Sequence, residues 1–335
     1  MIRYVAGRVL ATVVLLLVTA VGTFLLMRVV PADPAQLAAG LNATPEQVAR
    51  VREQLGLDQP LYVQLFQFLG NLLRGDLGTS LMTHRPVAQD IALYFPATLE
   101  LVVSSLLLVL VVGLPLGVYA VSGRPRFLAG MTRIGAFIAM GLPSFVLALL
   151  LQIIVFGELG WAPLGGRTSE PKPPRITGVQ TLDYLLVGDV AGFRDTAAHL
   201  VLPSIALAVG SIGLIVRYVE SEYDRVRRSD YLVTARAKGA IGGHLFWHHT
   251  ARNMLPSVLT IVGMVFGWSL AGSVLVESVF SWPGLGTYIL NSISAFDYSP
   301  VIISTLLLVG CFAIINLFVD IAHVIVDPRV KANLA

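Results

Sequence analysis

The chain has 335 residues, 56% of them hydrophobic and only 13% charged, with a formal net charge of +3. A soluble domain carries about 25% charged residues, so a mean hydropathy of +0.78 excludes an ordinary soluble domain and indicates a polytopic membrane protein. The only cysteine, Cys311, excludes an intrachain disulfide and reads as a packing residue.

Six stretches are long and apolar enough for the roughly 20 residues that a span requires. They lie near 9–30, 98–121, 131–156, 199–219, 255–276 and 301–326. The first is longer than a signal-peptide core and no A-x-A site follows it, so it reads as a retained span. Residues 31–97 then form a large loop. Within it, Thr44 is an N-cap, Pro45 opens a helix and Gln47 closes a capping box. Val48, Val51 and Leu55 share one face of that helix, and Gly56 stops it. "PLYVQLFQFLGNLLRGDLG" reads as a second amphipathic helix, too short to span, which lies on the membrane surface or packs on the spans; packing is the favoured expectation. A second loop, 157–198, is rich in Gly and Pro, and is either partner-contacting and partly mobile or an ordered connector.

Lys and Arg concentrate on the short segments at one side, from Arg3 and Arg8 through the 220–254 loop to Arg329 and Lys331. Both termini and that loop are therefore expected in the cytoplasm. The pI near 9.1 reflects contact with inner-leaflet lipid and calls for no nucleic acid. In "RVRRSDYLVTARAKGA", Ser229 or Asp230 caps a short helix, Tyr231 to Lys238, ended by Gly239. Ala235 and Ala237 give it a low surface ringed by Arg236 and Lys238. This run is either a surface read by another protein or a basic loop on anionic lipid.

Catalytic signatures are missing. Each of the three lysines, Lys172, Lys238 and Lys331, lacks a preceding glycine, so there is no Walker A loop. There is no HExxH pair and no GxSxG elbow. His244, His248 and His249 read as a headgroup-level cluster rather than a metal site.

Charged groups inside spans are costly and carry a functional hypothesis by default. Glu100 and Glu277 fall near the outer ends of the second and fifth spans; Asp320 lies in the inner half of the sixth, one turn from Asn316. They either line the translocation pathway or are structural helix-end charges near the interface, with Arg28 as the partner expected for Glu100 or Glu277. "VESVFSWPGLG" is expected to end the fifth span in a re-entrant turn, with Trp282 as an interfacial anchor in one reading.

"DYLVTARAKG" resembles the coupling-loop signature of ABC-importer permeases of the dipeptide/oligopeptide/nickel branch. "VPADPA", "ATPEQVARVREQLGLDQPLYVQ", "LLRGDLGTS", "FPATLEL", "GLPSFVLALLL", "LGWAPLGGR", "HLVLPSIALA", "FSWPGLG" and "VDPRV" resemble that branch in order. His323, where the family often has Tyr, and the early Pro256 depart from its pattern. The resemblance implies an all-α polytopic protein with the type I ABC-importer permease fold: span one in 1–30, a helical extracytoplasmic loop in 31–97 and a five-span core in 98–335. It implies that Asp230, Tyr231, Thr234, Ala235, Arg236, Ala237, Lys238 and Gly239 form the ATPase-coupling element, with Ala235 facing the ATPase. The implied partners are a second homologous permease, cytoplasmic ATPase subunits and an extracytoplasmic binding protein, with no cofactor on this chain. Peptides are the expected cargo, and nickel complexes or glutathione the alternatives. Two other classes stand beside this one: an ATP-independent secondary transporter or channel, and an intramembrane enzyme.

Overall fold

A computed structural model describes residues 2–29, 34–40, 43–54, 56–121 and 126–326. Its thirteen described helices are α1 (Ile2–Val29), α2 (Pro34–Ala39), α3 (Pro45–Gln54), α4 (Leu61–Leu73), α5 (Val87–Val121), α6 (Arg126–Gly141), α7 (Ser144–Glu158), α8 (Gln180–Val187), α9 (Val190–Arg227), α10 (Asp230–Ala237), α11 (Gly242–Val279), α12 (Leu285–Ser294) and α13 (Tyr298–Val326). The described residues form no strand, only an isolated bridge between Thr79 and Pro86. In a membrane every backbone polar group needs an internal partner, which helices supply from within themselves.

Five helices, α1, α5, α9, α11 and α13, are long and apolar enough to cross a membrane, and the bent pair α6–α7 makes a sixth if it is taken as one span. The third span is therefore not the straight segment expected over 131–156: α6 and α7 meet at 100°. Pro143 breaks the helix there, because it has no N–H and forces its predecessor out of helical geometry; its own ψ is 136°. Helix α5 begins at Val87, inside the stretch assigned to the first loop.

Two buried clusters form the core of the bundle. One joins α5, α7, α9 and α11 through Leu101, Ala148, Leu207 and Phe266, and Cys311 packs against it half-buried. The other joins α5, α9, α10 and α11 through Val109, Ile215, Leu232 and Val265. Helix α9 is the axle, and α6 approaches it where Gly213 leaves no side chain against the Ala136 carbonyl. Helix α1 stands to one side, tied to α13 by Arg8–Asp320 at 2.8 Å.

The two departures from the family pattern meet. His323 Nε2 lies 2.6 Å from the Pro256 carbonyl and 3.1 Å from the Thr260 hydroxyl. Pro256 does not mark the start of the fifth span; α11 has already begun at Gly242, through a π-helical turn at Leu245–Ala251.

In the loop between α1 and α5, the capping box forms as expected: Thr44 N–H donates to Gln47 Oε1 (2.8 Å) and Gln47 N–H to Thr44 Oγ1 (3.4 Å). Val48 is buried; Leu55 lies outside the described residues. The second loop is held by internal hydrogen bonds. Asp183 accepts from Thr177 N and Oγ1 (2.7 Å each) and Gly178 N (3.0 Å), and Asp195 accepts from Thr168 Oγ1 (2.7 Å) and Ser169 N (2.6 Å).

Candidate functional site

The run singled out in the sequence lies at the end of the bundle where α9 gives way to α11, here the basic end. Helix α10 starts after Ser229, whose backbone is extended but whose hydroxyl donates to the Val226 carbonyl (2.7 Å) instead of capping. Asp230 in the first turn complements the helix dipole. At the other end Ala240 N–H donates to the Ala235 carbonyl (3.1 Å) and Gly239 N–H to the Arg236 carbonyl (2.9 Å). This is the Schellman pattern, and it requires the left-handed backbone that Gly239 adopts at φ +89°.

Helix α10 buries one edge. Leu232 is 1% exposed and Ala235 6%, and Leu232 joins the cluster of Val226, Met254 and Ile261. Ala235 is therefore not on the free face, contrary to expectation: at helical spacing it shares the inward edge with Leu232. The exposed side carries Tyr231, Val233, Thr234, Arg236, Ala237 and Lys238. Ile241 and Trp247, 79% and 63% exposed, extend it. Sequence reading missed Val233, Ile241 and Trp247, whose signal was apolar side chains set among basic ones outside the stretches read as spans. Tyr231 Oη lies 2.8 Å from His249 Nδ1. The His244 and His248 rings stack at 4.4 Å, and among the described residues no group of His, Cys, Asp and Glu is arranged to hold a metal.

The opposite end holds the buried carboxylates. Glu277 is fully buried; Thr98 Oγ1 donates to its Oε1 (2.6 Å) and Thr287 N–H to its Oε2 (3.1 Å). Gly284 and Gly286 approach so closely that a Cβ on either would overlap this carboxylate. Leu285 N–H donates to Thr98 Oγ1 (2.7 Å), and Trp282 Nε1 to the Ala97 carbonyl (2.9 Å). The turn after α11 thus folds back onto α5 and leads into α12. Trp282 is wholly buried, so it is not an interfacial anchor.

Glu100 accepts from Thr181 N (2.8 Å) and Oγ1 (2.7 Å) and pairs with Arg167, whose guanidinium lies 5.6 Å from the Trp282 ring centre. Its partner is therefore not Arg28, which sits over the rings of Phe24 and Tyr298. Asp90 pairs with Arg85 (2.7 Å) and accepts from Tyr288 (2.9 Å) and Thr83 (2.5 Å); Asp297 accepts from Ser80 (2.6 Å) and Met82 N (3.1 Å). These ties anchor the 79–86 turn to α5 and α12. Burial and the adjacent Asp90 carboxylate push the Tyr288 phenol well above its ordinary pKa.

Glu100 and Glu277 thus belong to one network through Arg167, Trp282 and Thr98. Asn316 and Asp320 lie apart from it, lining a groove of about 200 Å³ between α1 and α13, where Asn316 donates to the Phe312 carbonyl of its own helix.

The family model described as binding-protein-dependent transport system inner membrane component matches residues 113–332, and its N-terminal companion matches residues 1–102. A probable D,D-dipeptide transport system permease protein of Escherichia coli is 38% identical over 92% of this chain and 91% of its own length. A dipeptide transport system permease protein of Alkalihalophilus pseudofirmus is 37% identical over 99% of this chain and 100% of its own. A glutathione transport system permease protein of Salmonella paratyphi A is 35% identical over 99% of each. With helices that cross a membrane and matches running almost from end to end, the chain belongs to the binding-protein-dependent inner-membrane transport components, in the dipeptide branch of the ABC-importer permeases.

Proposed function

We propose that the chain is the pathway-forming subunit of an ATP-driven importer of di- or oligopeptides, coupled to separate ATPases through α10. The observation that carries this reading is the mixed apolar and basic face of α10, presented outside the membrane by two core helices. Leu232 and Ala235 seat α10 on α9 and α11, so a push on its free face moves both helices. Arg236, Ala237 and Lys238 offer charge and close approach to a docking protein. The basic end is cytoplasmic, because Lys and Arg gather on its short segments; the carboxylate network then lies on the outer side, where a binding protein delivers cargo. Six spans form half of the pathway, and a second homologous permease supplies the other half. The peptide and glutathione relatives support a small peptide as cargo.

Reconstitution with its partner permease and ATPases tests the reading. Ala237→Glu on the free face is expected to leave folding intact and abolish both ATPase co-purification and ATP-dependent peptide uptake; normal docking and uptake would overturn it. The purified chain alone is expected to hydrolyse no ATP. Cysteines at Ser229 and Ser169 are expected to label from opposite sides of the membrane, and same-side labelling would overturn the orientation.

A further inference from the structure

Helix α4 is 13 residues long, about 20 Å at ~1.5 Å per residue, too short to cross a bilayer. It has no Asp, Glu, Lys or Arg, and Arg74 follows its last residue. At helical spacing Tyr62, Phe66, Leu69 and Leu73 form one edge, while Gln64, Gln67 and Asn71 lie on the other side. The apolar edge is open: Tyr62 is 64%, Phe66 71% and Leu73 89% exposed. A third side faces the protein, where Phe68 stacks on Phe24 of α1 at 5.5 Å.

That stack fixes the depth of α4. Phe24 is one turn from Arg28, where the apolar part of α1 ends, so α4 meets α1 near the end of a span. The lipid-facing side of α1 continues to this level through exposed Leu25 and Leu26. Tyr62 and Phe66 are amphipathic or aromatic side chains of the kind favoured at a headgroup layer, and the exposed Arg74 suits lipid phosphates.

We propose that α4 is an interfacial anchor, its Tyr62–Phe66–Leu73 edge seated in the boundary between headgroups and acyl chains of the leaflet at the Arg28 end of α1. An amphipathic helix in that position sinks about 5–10 Å into the boundary. The occupant is lipid, because the open edge lies on a helix that meets α1 at the level where its Leu25 and Leu26 are exposed, and Tyr62, Phe66, Leu69 and Leu73 carry no charge for a protein partner to read. The proposal rests on the chain crossing a membrane and not on its coupling to an ATPase, so the two readings fail separately.

The test uses spin labels in the assembled transporter in phosphatidylcholine–phosphatidylglycerol vesicles, with Cys311→Ser as background and cysteines at Phe66, Leu73 or Asn71. The ratio of collisions with oxygen to collisions with a water-soluble nickel chelate is expected to be several-fold higher at 66 and 73 than at 71. Equal ratios at the three sites would place α4 in water and overturn the proposal. Exclusion of both reagents at 66 and 73 would show that a protein covers the edge, and would also overturn it. Phe66→Trp gives a second reading that keeps an aromatic ring: its added fluorescence is expected to be quenched in vesicles of brominated phospholipid, and unquenched emission would count against the anchor.

Discussion

At the end opposite the basic one the carboxylates of Asp90, Glu100, Glu277 and Asp297 are all inside the protein, and each is bound by groups from other segments. At the basic end α10 rests on the side chains of Leu232 and Ala235, while Tyr231–His249 and Arg225–Glu222 lie on the surface. Buried hydrogen bonds are directional and costly to leave unmade; apolar contacts tolerate small displacements. The contrast separates a template that holds one shape from an element that can shift as a body, which is what a coupling element between a motor and a pathway needs.

The strongest way to break the carboxylate template is Glu277→Ala. It orphans the Thr98 hydroxyl and the Thr287 N–H together, each worth about 1–3 kcal/mol when buried without a partner. A loss of about 3 kcal/mol or more is expected, read as a lowered unfolding midpoint in detergent. An unchanged midpoint would mean that the turn after α11 is held without this carboxylate. At the basic end Ala235→Glu is the counterpart. It buries a charge beside Leu232, and a cost of about 2–4 kcal/mol is expected, with protease sensitivity confined to 228–241. Ala237→Glu, one turn face away, is expected to leave that protection unchanged, so the pair distinguishes seating of α10 from docking on it.

Gly239→Val is expected to cost about 1–2 kcal/mol. Nothing lies within 4 Å of where its Cβ would be, so the cost is backbone strain alone. Gly239→Asn, which tolerates the left-handed region, is expected to recover much of it. The same stability measurement checks both. The smallest effect is a pH dependence in the second loop. Burial raises the Asp183 pKa, but the hydrogen bonds from Thr177 and Gly178 outweigh it and hold the carboxyl below its ordinary value. Its contribution is thus fully present above the unfolded value and is lost as pH falls through the folded one. Protection of the Thr177 and Gly178 amides, relative to their intrinsic exchange rates, is expected to fall below about pH 4, and Asp183→Asn to remove the pH dependence.

Span positions, the capping box at Thr44–Gln47 and the stop at Gly239 were legible because each depends on nearby residues. The orientation of Ala235 was not, since small size suits a partner's surface and the chain's own interior alike. The 100° bend was not read either, although Gly141 and Pro143 stand in the sequence, because hydropathy scores the stretch as one apolar run. The partners of Glu100 and Glu277 come from residues up to 179 positions away, and nothing local selects Arg167 over Arg28. His323 and Pro256, two separate oddities in sequence, are one contact in space.

The break between α6 and α7 has a consequence for the order in which the chain is made. Helix α6 has 16 residues, about 24 Å at ~1.5 Å per residue, short of the ~30 Å hydrocarbon layer, and the backbone groups freed around Pro143 cannot face lipid. The surface that α6 meets includes Gly213 of α9, synthesised some seventy residues after the bend. The bend can therefore take the seat it has in the folded protein only once α9 has been made.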